Sequence, residues 1–255
     1  MSLSQTIALA HNHQIGAIEV RCLSGQTIEP SNFSTHFSPL SSALHKLTTG
    51  EIELTGLGTS VKLLNPRPTD LDDLIHFARL ADTLNCPWLR VFDGGNIGSL
   101  PSPDDLIAAQ GVVRAWESAR QRLNLKAQLM VETHDGLTSI EGITRFRETL
   151  PQIAILWDTH HTWRAGESVT GYHEAAKPAI VHVHVKDSIN KPSARKPFTY
   201  CLPGQGEFPW PELGQLLRDR KFLGKVSLEW ERHWHPYLDP IQVALPLYRD
   251  ILARW

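Results

Sequence analysis

The sequence predicts an α/β barrel, on three observations. Short β-rich runs alternate with helix-compatible stretches along most of the chain. A chain of 255 residues is a common size for one such barrel. The runs also carry polar side chains on one face, repeatedly, towards their carboxyl ends. Strand–helix repetition at this spacing means βαβ units and a parallel sheet.

The candidate strands are residues 16–22, 50–57, 87–94, 126–135, 152–161, 179–188 and 224–232. Seven such signals favour a barrel over an open sheet. An eight-stranded barrel needs one more. The chain begins in a helical pattern over residues 4–16, so the first strand is expected to be missing or very short. Between the strands, residues 69–85 open with Thr69 as N-cap and an acidic first turn, then space Leu71, Leu74, Ile75 and Ala78 at helical intervals. Residues 102–124 repeat the pattern, with Ser102 as cap and Pro103 at the first helical position. Residues 139–150 and 210–222 are two further helices. With no linker or low-complexity segment, a single domain over residues 1–255 is expected.

Composition narrows the class. Apolar and charged contents of 41% and 20% are ordinary for a soluble enzyme. A formal net charge of −2 gives no broad footprint for nucleic acid or anionic membrane. There is no apolar run of about 18 residues, and the start lacks the basic and long apolar regions of a signal peptide. Cys22, Cys86 and Cys201 are far apart and form no CxxC, as reduced thiols of a cytoplasmic protein would. The expectation is a cytoplasmic protein without nucleic-acid or membrane partners, with homo-oligomerisation left open.

The periodicity carries the functional argument. In an α/β barrel, side chains alternate between the helix layer and the barrel axis. Val181, Val183 and Val185 form one face of their strand, and His182, His184 and Lys186 the other. Val226, Leu228 and Trp230 alternate with Ser227, Glu229 and Glu231. Leu129 and Val131 alternate with Met130, Glu132 and His134. Glu51 and Glu53 are read the same way, as are Glu19 and Arg21. Ordinary parallel strands are apolar on both faces. Buried carboxylates and imidazoles are costly unless paired or bound to a metal. A solvated edge strand would explain one polar face. Several that converge on the carboxyl-end mouth, where barrel enzymes keep their chemistry, predict a shared site. Two Glu, one Asp and one His from successive strands suit one divalent ion, Mn²⁺ or Mg²⁺ first, with Co²⁺ or Zn²⁺ as alternatives. Such an ion holding a hydroxyl and a carbonyl oxygen of a substrate acidifies the C–H between them.

The stretches "MVETHDG", "WDTHH", "VHVHVKDS" and "VSLEWE", in this order, resemble the xylose isomerase-like TIM barrels. That superfamily contains sugar phosphate isomerases and epimerases, inosose dehydratase-like lyases and zinc AP endonucleases. The resemblance covers the chain from about Gly16 to the end. It implies Glu132, Asp158, His184 and Glu229 as metal ligands, with Glu132 and Glu229 as the catalytic pair on either side of the substrate carbon. It implies His161 as a substrate-binding histidine and His182 as a second inward histidine below the metal. Lys186 and Asp187 match an HxKD form found in many isomerase-like and dehydratase-like members. The activity implied is a sugar, sugar phosphate or sugar acid isomerase or epimerase working through a metal-stabilised enediolate. A dehydratase of a keto-sugar or cyclitol, with Lys186 or His161 as acid, is the second reading, and a catalytically silent sugar-binding barrel the third. The AP endonuclease reading fails for want of histidines on the earlier strands, where Thr55 and Asp93 stand instead.

His134, sharing the face of Glu132, Glu231, sharing that of Glu229, and Arg21 are expected to join His161, His182 and Lys186 in binding substrate. Arg21 and Arg90 are placed either to meet a substrate carboxylate or phosphate or to pair with Glu19 or Glu53. Residues 188–210 form a long loop carrying Lys191, Arg195 and Lys196, either a lid or a solvated charge run. Trp157, Trp163, Trp230 and Trp234 fit aromatic walls for a sugar and fit core equally well. One conflict remains: strict alternation puts His160 on the face of Asp158, whereas the family spacing selects His161.

Overall fold

A sheet of seven parallel strands, ordered in space as in sequence, organises the computed structural model, which describes residues 1–37 and 42–255. The strands are β1 (Ala17–Val20), β2 (Glu53–Lys62), β3 (Trp88–Phe92), β4 (Gln128–Glu132), β5 (Ala154–Asp158), β6 (Ile180–Val185) and β7 (Lys225–Leu228). The helices are α1 (Leu3–Asn12), α2 (Phe33–His36), α3 (Ser42–Thr48), α4 (Asp70–Thr83), α5 (Pro103–Leu123), α6 (Ile140–Thr149), α7 (Thr159–Arg164), α8 (Val169–Ala176), α9 (Trp210–Asp219) and α10 (Ile241–Leu252). The result is a nearly closed TIM-type barrel. Among the described residues no strand precedes α1, and β1 and β7 are the two edges of the sheet. Side chains bridge this seam: Lys225 Nζ meets Glu53 Oε2 at 2.5 Å, and His184 Nε2 meets Glu19 Oε2 at 2.7 Å. The Tyr248 hydroxyl of α10 donates to the Val226 carbonyl at 2.6 Å, satisfying an acceptor of the edge strand.

The outward strand faces build the core. Val131, Ile155, Trp157, Val183 and Val185 are wholly buried, packed with Phe77 of α4, Trp116 of α5, Phe146 of α6 and Tyr172 of α8. Each such side chain contributes about 1.5–3 kcal/mol by leaving water. The helix starts are capped as their sequences imply. Ser102 and Asp105 form a capping box ahead of Pro103, and Ser139 and Ser168 cap α6 and α8. Thr69 is the exception. It precedes α4 but makes no capping bond; Asp70 instead accepts from the Arg67 backbone and guanidinium at 2.8 Å each.

Two elements depart from the sequence reading. β2 begins and ends later than expected because Gly56 and Gly58, which look like breakers, are strand residues. A Cβ on Gly56 would stand 3.0 Å from Met130 Cε, a tight contact in the barrel interior that the Met130 side chain would have to yield to. Glu51 and Glu53 are therefore not at the mouth. Both are exposed at the opposite end and pair with Lys46 and Lys225. Finally, residues 188–210 are not a bare loop: Asp187–Ile189 and Thr199–Cys201 form an antiparallel ribbon.

Candidate active site

Four ligand-type side chains meet at the carboxyl ends of the strands. Glu132 closes β4, Asp158 closes β5, His184 lies in β6, and Glu229 follows β7, its N–H still bonded to the Val185 carbonyl at 3.1 Å. One atom from each lies within 4.8 Å of the others. These are the four residues named above as metal ligands. Their hydrogen bonding is incomplete. Glu132 Oε2, Asp158 Oδ2 and His184 Nδ1 are all buried without a hydrogen-bond partner. Native interiors leave few such atoms, and each calls for an explanation. Charged neighbours stand close without bonding them: Arg90 Nε is 3.2 Å from Glu132 Oε2, Lys186 Nζ 2.8 Å from Asp158 Oδ2 and Glu229 Oε2 3.7 Å from His184 Nδ1. Carboxylate oxygens with one imidazole, converging from neighbouring strands, suit a hard or borderline divalent ion.

Asp158 shows how the chain builds this corner. Its Oδ1 caps α7, accepting from His160 N at 3.0 Å and His161 N at 2.9 Å, while Oδ2 is left over for the cluster. The switch from strand to helix at Thr159 changes the periodicity and resolves the histidine conflict. His161 returns to the mouth, with Nδ1 3.3 Å from Asp158 Oδ2. His160 turns away, wholly buried, its Nε2 2.7 Å from Ser188 Oγ and its ring among Phe198, Tyr200 and Trp163.

Lys186 is buried among acids. Its Nζ lies 2.8 Å from Asp158 Oδ2 and 2.7 Å from Glu231 Oε1, contacts Glu229 Oε2, and approaches His161 Nε2 at 3.1 Å. Burial opposes its charge, but Asp158, Glu229 and Glu231 outweigh burial and hold the ammonium well above its usual pKa. Burial likewise opposes ionisation of Glu229, and Lys186 with His184 holds that carboxyl well below the usual range. For Asp158, burial dominates, and with Glu229 and Glu132 it raises the carboxyl against the pull of Lys186. Burial and Lys186 hold the His161 imidazole well below its ordinary pKa, so it is neutral.

The remaining candidates divide into two groups. Arg21, His134, His161 and Glu231 line one cavity of about 260 Å³ together with Glu132 and Glu229. His182 lies beneath the mouth instead, 1% exposed, its Nε2 2.6 Å from Ser227 Oγ and 3.5 Å from Glu19 Oε2; it is not on the cavity wall. Of the four tryptophans only Trp234 lines the cavity, joined there by Phe92; Trp157 is core, stacked on Tyr172 at 5.7 Å. Neither arginine pairs with Glu19 or Glu53: Arg90 Nε lies 3.2 Å from Glu132 Oε2, and Arg21 Nη1 lies 3.6 Å from Glu29 Oε1.

Glu19 is the residue whose role sequence reasoning missed. Its carboxylate meets Nε2 of His184, which leaves Nδ1 facing the cluster and fixes which imidazole nitrogen is available. The signal was its place on the inward face of β1. Its partner stands 165 residues away and leaves no local trace.

The mouth of the barrel thus gathers three carboxylates and an imidazole, a set of residues that could hold a metal ion. The chain is a member of the xylose isomerase-like TIM barrel family, whose model matches residues 7–250. The fold resembles the probable 3-DHS dehydratase AsbF of Bacillus anthracis, at TM-score 0.76 and 18% identity over 99% of this chain and 94% of that one. It resembles the IolI protein with a binding zinc atom at TM-score 0.74 and 16% identity, over 100% and 94% of the two chains. It also resembles 3-keto-D-glucoside 4-epimerase of E. coli at TM-score 0.70 and 14% identity, over 98% and 94%. A stretch of 99 residues, 38% of this chain, is 27% identical to D-psicose 3-epimerase of Agrobacterium fabrum and spans about a third (31%) of that relative. The curated relative is an epimerase, and the structural neighbours, a probable dehydratase and an epimerase among them, share the fold. Among the described residues, no helix is long and apolar enough to cross a membrane.

Proposed function

We propose that this chain, acting as one barrel domain, is a divalent-metal-dependent isomerase or epimerase of a small sugar or sugar acid. The observation that carries the reading is the convergence of Glu132, Asp158 and His184 within 4.8 Å of one another, each with a buried atom (Oε2, Oδ2 and Nδ1) that makes no hydrogen bond. With Glu229 they would hold the ion. When bound, that ion polarises neighbouring hydroxyl and carbonyl oxygens of the substrate and stabilises the negative charge left by removal of the intervening proton.

The chain's own groups supply the rest. Glu229 is ionised and faces the cavity, so it accepts a proton from the substrate carbon. Glu132, reached from the neighbouring strands and held by Arg90, returns a proton from the other side in an epimerisation. Neutral His161 and protonated His134, whose imidazole is raised to about 9 by Asp135 and Glu132 against burial, orient substrate hydroxyls. Trp234 and Phe92 offer aromatic surface to the sugar from the cavity wall.

A specific observation favours dehydration as the second reading. The Lys186 ammonium lies behind the cavity wall against Glu229, Glu231 and His161, which line the cavity, so His161 can give a proton to a departing β-hydroxyl and Lys186 can replace it. Incubation of the Mn²⁺-loaded protein with ketoses, sugar acids and cyclitols in D₂O separates the two. Deuterium at carbon without other change of mass supports isomerisation or epimerisation, and loss of water supports the lyase. Glu229→Gln abolishes exchange; retained exchange places the base elsewhere.

A further inference from the structure

Two guanidinium groups stand side by side in the cavity wall. Arg21 follows β1 and Arg90 lies in β3. Between them runs Gly58 of β2, where a Cβ would stand 2.8 Å from both Arg21 Cδ and Arg90 Nη2. A larger residue there would displace both arginine side chains. Arg90 stacks its guanidinium on Phe92, 3.9 Å from the ring centroid, and its side chain is 4% exposed. Its Nη1 donates to the Thr59 carbonyl at 3.1 Å, while Nε has no hydrogen-bond partner. Arg21 donates to Ser60 Oγ at 2.8 Å and to the Gly58 carbonyl at 3.3 Å.

Like charges brought together away from water are unfavourable unless something offsets them. The offset in the chain is thin. Glu29 approaches Arg21 only to 3.6 Å, and its Oε1 already accepts from Ser60. Glu132 pairs with Arg90 at 3.2 Å but is shared with the ligand cluster, and Glu19, which also acts on Arg90, is bonded to His184. Burial, followed by the charge of Arg90, lowers the pKa of Arg21, the signature of a repulsive pair. Arg195 and Lys196, from the ribbon loop, line the same cavity and add positive charge from the other side. Arg21, Arg90, Arg195 and Lys196, with protonated His134, thus share a space of about 260 Å³, the size of one small molecule, with Glu132, Glu229 and Glu231 of the ligand-cluster side.

From this arrangement we infer that the Arg21–Gly58–Arg90 fork is an oxyanion subsite, and that the substrate is a polyhydroxylated acid of monosaccharide size bearing a carboxylate or phosphate beside the ligand cluster. The planar donors of two guanidiniums match a group with two or more oxygens. The inference deepens the proposed function and takes the position of the reacting end from it. The fork does not itself require a metal.

The test is calorimetric titration of D-gluconate, D-glucitol 6-phosphate and neutral D-glucitol into protein stripped with EDTA, with Mn²⁺ content measured separately after reloading. The stripped protein is expected to prefer at least one anion over glucitol by about tenfold or more, because charge-assisted bonds replace neutral ones. Which anion is preferred distinguishes carboxylate from phosphate. Arg21→Met, which keeps the apolar stem, is expected to remove most of that preference. Arg195→Ser with Lys196→Ser, in an exposed loop, reduces it less. Equal affinity for anions and glucitol, no anion binding at all, or a preference unchanged in both variants overturns the inference. Anion preference without Mn²⁺ binding leaves the fork standing and removes the metal reading. Mn²⁺ binding without anion preference does the reverse.

Discussion

Asp187 and Asp158 are both wholly buried acids at the mouth of the barrel, and they have opposite surroundings. Asp187 accepts from five donors: the N–H groups of Ser188, Gly204, Gly206 and Phe208 and the indole of Trp210, all at 2.8–3.1 Å. Asp93 is the same kind of residue, accepting from five backbone N–H groups, those of Gly95 and of residues 134–137. Asp158 uses one oxygen as a helix cap and leaves the other without a hydrogen bond among Glu229, Glu132 and Lys186. Burial and charge alone thus do not mark a functional acid. Asp93 and Asp187 are saturated and hold loops in place. Asp158 is unsaturated and crowded by other acids, a state that a bound cation relieves.

The largest effect tests the saturated side. Asp187→Ala or Asp93→Ala strands five buried donors and is expected to cost about 3–5 kcal/mol in urea unfolding, or to prevent folding. Gly206→Ala acts through the same node, since its Cβ would fall 2.1 Å from Asp187 Oδ1. Asp158→Asn keeps the cap oxygen and leaves Lys186 its other carboxylates. Its metal-free stability is expected to stay within about 1 kcal/mol of the parent. A loss as large as that of Asp187→Ala would erase the distinction.

Next comes the ion. Mn²⁺ at a hundred times its Kd stabilises the parent by about 2.7 kcal/mol, and this increment disappears in Asp158→Asn and Glu132→Gln. Equal stabilisation of all three by Mn²⁺, followed by thermal melting, would move the site elsewhere.

The smallest effect concerns the satisfied side of His184. In metal-free protein, burial opposes the charge of Glu19, yet His184 and His182 lower its pKa to about 2. That contribution is present above about pH 4.5 and is lost as pH falls towards 2. His184 is raised, chiefly by Glu19 against burial, so its part is full below about 6.5 and is lost as pH rises through the raised value. The stability difference between parent and Glu19→Gln is therefore expected to peak between about pH 4.5 and 6.5; a flat difference across acid denaturation curves would show that the pair is not coupled to folding.

Much of this was legible in the sequence, for stated reasons. Alternation exposes inward faces, so Glu132, His184 and Glu229 could be placed before the fold was seen. Asp158 with His161 needed a change of period at Thr159, which alternation alone misassigns to His160. The extent of β2 was hidden because Gly56 and Gly58 answer to the bulk of Met130, Arg21 and Arg90, side chains distant in sequence. The ribbon in residues 188–210 was hidden because the surrounding loop is gathered by one carboxylate, Asp187. Nothing local separates Asp93 or Asp187 from Asp158, because saturation is a property of the folded surroundings.

The central claim is that the unsaturated cluster holds a divalent ion. It is tested most directly by metal analysis of the purified protein after Mn²⁺ is supplied and excess removed, beside Asp158→Asn treated alike. About one equivalent per parent chain and almost none in the variant is the predicted result. No divalent ion in the parent, or equal amounts in both, would contradict it.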